Sequence, residues 1–112
     1  MNNKIFVACD TSSTSTAKKI IKYTKTKKLK IGYKFGLEFF NSKNGRYFVS
    51  KLKKKIIFAD LKLNDIPNTC ASAIYSLKDL KNISYITVHI NGGFEMLKAV
   101  KKASLKTKKN LK

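Results

Sequence analysis

Apolar runs of strand length recur four times along the chain: residues 4–10 (KIFVACD), 29–36 (LKIGYKFG), 55–62 (KIIFADLK) and 84–90 (SYITVHI). Each is rich in β-branched or aromatic residues and too continuous for a strand with one wet face, so all four read as strands buried on both sides. The intervening segments change to helical spacing. The first opens with the hydroxyl-rich TSSTST, which supplies N-caps, and then sets Ala17, Ile20, Ile21 and Thr24 along one face. The second carries Phe48, Val49 and Leu52. The third begins at DIPNT, with Pro67 suited to a first helical turn, and continues through Cys70, Ala73, Ile74, Leu77 and Leu80. The fourth follows NGG and holds Leu97 and Val100, and a polar, lysine-rich tail starts at about Ser104. No linker or low-complexity stretch divides the chain, so one α/β domain is predicted over residues 1–103 with a tail over 104–112. The alternation β-α-β-α-β-α-β-α predicts a parallel sheet with helices outside it.

The strand ends carry the candidate chemistry. Asp10 closes the first strand, Lys34 lies near the end of the second, Asp60 and Lys62 close the third, and His89 closes the fourth. In parallel α/β proteins the C-terminal strand ends and the loops after them build the active site, so these residues should share one rim. Within DLKLND, simple alternation puts Asp60 and Lys62 on one face, about 7 Å apart along the backbone. Asp65 follows where the chain has left the strand and can curl back. A carboxylate on each side of the Lys62 ammonium would hold it charged and oriented. Such a lysine is a proton donor rather than a Schiff-base nucleophile, which needs a depressed pKa. The same spacing fits a structural ion pair at a strand end equally well, and spacing does not choose between them.

Composition narrows the class. The 112 residues allow one small domain with a modest core, and 43% hydrophobic residues exclude a disordered tail. No apolar run approaches the length of a membrane span, and the N-terminal MNNKIFVACD lacks a secretory apolar region. Cys9 and Cys70 form no CxxC or Cys/His cluster, which predicts reduced thiols in a cytoplasmic protein and no metal site. The net charge of +19 suggests a basic nucleic-acid-binding module. Against that stand a single arginine, Arg46, and lysines interleaved with apolar positions in AKKIIKYTKTKKLK and SKLKKK, as on solvated helix faces.

Taken together, these residues resemble the orotidine 5′-phosphate decarboxylase family. DLKLNDIPNT is similar to that family's DxKxxDIPNT signature, and VACD, GYKFGLEFF and ITVHINGG resemble its first, second and fourth strand segments in order. The resemblance covers about residues 4–103. DxKxxD alone is shared with Mg²⁺-dependent sugar-phosphate decarboxylases of the same superfamily, and the IPNT continuation favours the orotidine enzymes.

The resemblance implies a (β/α)₈ TIM barrel, of which this chain is a half-barrel of four β/α units. It implies Lys62 as the acid that protonates C6 of the pyrimidine and Asp60 as a neighbour of the substrate carboxylate. Asp10 and Lys34 would contact the ribose of orotidine 5′-phosphate, Lys34 also joining the charged network. Asp65, Ile66 and Thr69 would reach into the partner's site of a homodimer with shared active sites, and His89 would support. No cofactor or metal is implied. The later units that carry the pyrimidine hydroxyl contact and the phosphate-binding residues do not occur in this sequence. That fits a truncated gene, a split gene complemented by a C-terminal half-barrel in trans, an incomplete sequence or a non-functional remnant, and the piece alone is expected to be inactive.

Overall fold

A computed structural model describes residues 3–107. Its strands β1 (Lys4–Ala8), β2 (Lys30–Gly36), β3 (Ile56–Leu63) and β4 (Ile83–Val88) form one sheet in the order β1-β2-β3-β4, every pair parallel. The helices between and after them are α1 (Thr14–Tyr23), α2 (Leu37–Asn41), α3 (Gly45–Lys51), α4 (Pro67–Ser76) and α5 (Phe94–Lys106). Sequential parallel strands joined by right-handed crossovers keep their helices on one side, so the fold is the expected half-barrel.

The core lies between sheet and helices. Tyr33 and Phe35 of β2, Ile57 and Ala59 of β3, and Ile83 of β4 are buried in one cluster with Ala17, Phe39, Val49, Ile74, Met96 and Ala103 from the helices. Each large side chain of this kind contributes about 1.5–3 kcal/mol by leaving water. Local signals place the helices. The Ser13 side chain accepts the Thr16 N–H at 3.2 Å and caps α1, and Thr24 ends it by donating its hydroxyl to the Ile20 carbonyl at 2.7 Å. Pro67 occupies the first turn of α4. Gly93, at φ 92°, turns the chain into α5 through a conformation that a side chain would strain.

Several boundaries differ from the sequence reading. β1 stops at Ala8 and β4 at Val88, so Asp10 and His89 lie in the loops after the strands. The second helical segment is two helices, because Ser42 is extended and its hydroxyl donates back to the Phe39 carbonyl, closing α2. Leu77 and Leu80 lie beyond the end of α4 yet are buried. α5 runs on to Lys106, with Ala103 and Ser104 both buried. Residues 108–112 of the expected tail lie outside the described residues.

Candidate active site

The sheet face turned away from the helices is layered along the strands. Phe6, Phe58 and Tyr85 meet edge-on or tilted, with ring centroids 5.1–6.0 Å apart. The Phe6 ring takes the space over Gly32, where a Cβ would fall 2.5 Å from its Cε1. Two residues further along their strands, in the direction of the C-terminal ends, come Lys34, Asp60 and Thr87. Alternation places each of them on this same face.

Here the β3–β4 pairing is irregular. Ala59 pairs with Ile86 and Leu63 with Val88, so Asp60, Leu61 and Lys62 stand opposite Thr87 alone. The surplus is absorbed at Lys62, whose φ is 48°, the one positive value on a non-glycine residue among those described. A left-handed residue with a Cβ costs about 1–2 kcal/mol. It persists because the Lys62 N–H donates to Thr87 Oγ1 at 2.9 Å across the bulge. The Asp60–Lys62 relation thus arises from a bulge rather than from the plain alternation expected.

The side chains then converge. Lys62 Nζ donates to Asp60 Oδ2 at 2.9 Å, and Lys34 Nζ lies 3.3 Å from the same oxygen. Thr87 Oγ1 donates to Asp60 Oδ1 at 2.8 Å. Asp60 is 8% exposed. Its carboxyl is held down at about 2, chiefly by the hydrogen bond from Lys62; burial acts in the opposite direction, and the Thr87 and Lys34 hydrogen bonds help overcome it. Lys62 retains 56% of its side-chain exposure and Lys34 29%, so both ammoniums face outward from a buried anion.

The structure therefore brings Lys34, Asp60 and Lys62 together, and within the chain one carboxylate lies between two ammoniums. Among the described residues, neither Asp10 nor Asp65 is ion-paired with these lysines. Asp10 is exposed beside Cys9, whose thiol is pushed up to about 11 by burial and secondarily by the Asp10 charge. Asp65 is exposed and accepts the N–H of Ile66 at 2.7 Å. Ile66, at 65% exposure, and Thr69 are on the surface at the start of α4. His89 is exposed, and its backbone N–H donates to the Leu63 carbonyl at 2.9 Å. Sequence reasoning missed Thr87. The available signal was a hydroxyl inside an apolar strand, two residues before His89 and hence on the same face.

Chemically, this is a net cationic site with a half-exposed ammonium held over an open face. It suits binding an anionic substrate and delivering a proton to a carbon that gains an electron pair. Among the described residues, no group of three or more His, Cys, Asp or Glu side chains is placed to hold a metal. A cleft of about 550 Å³ between α1 and α3 lies on the helical side of the sheet, and its lining includes no Asp, Glu or His.

Residues 3–111 match the orotidine 5′-phosphate decarboxylase / HUMPS family. The chain belongs to that family. It is 38% identical, over 100% of its length and 46% of the relative's, to orotidine 5′-phosphate decarboxylase of Fusobacterium nucleatum. With the enzyme of that name from Sphingopyxis alaskensis it is 41% identical over 90% of this chain and 44% of the relative. Among solved structures of family members, orotidine 5′-phosphate decarboxylase from Lactobacillus acidophilus superposes with a TM-score of 0.81 at 31% identity, covering 93% of this chain and 46% of that one. The Methanocaldococcus jannaschii enzyme complexed with the inhibitor BMP gives a TM-score of 0.80 at 28% identity, covering 99% and 51%. The chain spans about half the length of the curated relatives it matches.

Proposed function

We propose that the chain supplies the proton-donating half of an orotidine 5′-phosphate decarboxylase, converting orotidine 5′-phosphate to uridine 5′-phosphate and CO₂ in de novo pyrimidine biosynthesis. The observation that carries this reading is the Lys34–Asp60–Lys62 network at the C-terminal rim, within the family signature. The C6–carboxylate bond breaks, the electron pair stays on C6, and Lys62 Nζ transfers its proton there, leaving a neutral amine. Asp60 holds that ammonium aimed beforehand, so its stabilisation of the developing carbanion needs little reorganisation. In this reading Asp60 also lies against the substrate carboxylate and repels it, disfavouring the ground state relative to a transition state that loses that charge.

Asp10 and Lys34 contact the ribose in this reading. Asp65, Ile66 and Thr69 serve the neighbouring subunit of a homodimer, a role supported by their exposure at the start of α4. A cytoplasmic setting belongs to this reading, and the free thiols Cys9 and Cys70 fit it. The 5′-phosphate contacts belong to the complementary four units. Remote binding of this kind orients the reacting centre, so turnover requires both halves.

The test pairs the 112-residue chain with the C-terminal half of the Fusobacterium nucleatum relative and follows loss of orotidine absorbance. The pair turns over and the chain alone does not. Lys62→Ala lowers kcat by at least about 10²–10⁴-fold, the usual contribution of a positioned acid. Near-normal kcat in Lys62→Ala removes Lys62 from the proton transfer.

A further inference from the structure

Lys62 and Asp60 do not hold themselves in place. A backbone N–H can only donate, so in the 2.9 Å contact between Lys62 N and Thr87 Oγ1 the hydroxyl is the acceptor. Its own proton is then free for Asp60 Oδ1, 2.8 Å away. The result is a directional relay, Lys62 N–H to Thr87 Oγ1–H to Asp60 Oδ1, spanning the bulge from one strand to the next. It occupies one carboxylate oxygen and leaves Oδ2 to both ammoniums, Lys62 of β3 at 2.9 Å and Lys34 of β2 at 3.3 Å. It also satisfies the amide of the left-handed residue, which faces no regular ladder partner where three residues oppose one.

We infer that Thr87 is a positioning residue: its single hydroxyl fixes both the rotamer of Asp60 and the left-handed backbone of Lys62, and so aims the Lys62 ammonium. The inference deepens the proposed decarboxylase reading and rests on it for the word aims; the clamp itself is tested without turnover. A side chain of the same shape without the hydroxyl, Thr87→Val, strands one donor and one acceptor together. Serine keeps the hydroxyl and loses only a methyl group.

The experiment is a carboxyl-carbon NMR titration of Asp60 in the 112-residue chain. In Thr87→Val the Asp60 midpoint rises by about half to one pH unit as a donor to the ionised form is lost, and in Thr87→Ser it stays with the parent. A midpoint unchanged in Thr87→Val, or raised equally in Thr87→Ser, overturns the inference. Hydrogen exchange in the unsubstituted chain is the second measurement, independent of how the variant folds. The Lys62 amide is protected, and its protection falls as Asp60 protonates; exchange at the open-chain rate overturns the clamp. In the two-half enzyme, Thr87→Val lowers kcat more than it raises KM, and Thr87→Ser recovers kcat. Loss of the titration effect counts against Thr87, whereas no turnover by the unsubstituted two-half enzyme counts against the decarboxylase reading and leaves the Thr87 titration result standing.

Discussion

Removing the Asp60 charge while keeping its shape, with Asp60→Asn, measures what the network contributes to the fold. The carboxyl pKa falls from an ordinary 3.8 to about 2 in the folded chain. At 1.36 kcal/mol per pH unit, that difference corresponds to about 2 kcal/mol of stability at neutral pH. The sign follows from the direction. Because the folded pKa is depressed, the contribution is complete above the unfolded value near 3.8 and disappears as pH falls through about 2. The variant never has it and in addition leaves Lys34 and Lys62 facing each other, although their partial exposure to water screens that repulsion. Urea unfolding at pH 7 should therefore show Asp60→Asn less stable by about 2 kcal/mol, a midpoint lower by roughly 1–2 M for a chain of this size. The gap should hold down to about pH 5, narrow between pH 4 and 2, and nearly close at the acid end. A gap that is the same at pH 7 and pH 2, or none at pH 7, would falsify the account of a buried anion held by two ammoniums.

Subunit complementation checks the proposed homodimer. An Asp65→Ala chain mixed with a Lys62→Ala chain, each with its C-terminal half, should regain up to about half the normal activity per mixed dimer, since both lesions fall in one of two shared sites. No recovery despite confirmed subunit exchange would place Asp65 in its own site. Cys9 should resist alkylation in the native state: with its pKa pushed up to about 11 it is ~0.1% thiolate at pH 8, against roughly a quarter for an ordinary thiol, and it is fully buried. Rapid native labelling of Cys9, mapped by peptide, would contradict its placement behind β1.

Much of this protein is written locally in its sequence. The continuous apolar strands, the switch to helical spacing, the hydroxyl cap at Ser13 and Pro67 at the head of α4 specify four β/α units, because strand burial and helix capping depend on residues a few positions apart. The signature DLKLNDIPNT likewise marks out Asp60 and Lys62 by sequence alone. What the tertiary structure alone decided is how those two residues meet. Period-two reasoning gave them a regular strand, whereas the register against β4 sets three residues of β3 against one, turns Lys62 to φ 48° and makes Thr87 their common partner from 25 and 27 residues away. It also moved the second cation of the network from a guess to a position, since Lys34 reaches Asp60 only because β2 lies beside β3 with Gly36 opposite Asp60. Register and convergence are properties of strands paired across the chain, and the free energy that selects them comes from contacts between residues far apart in sequence, which no local pattern encodes.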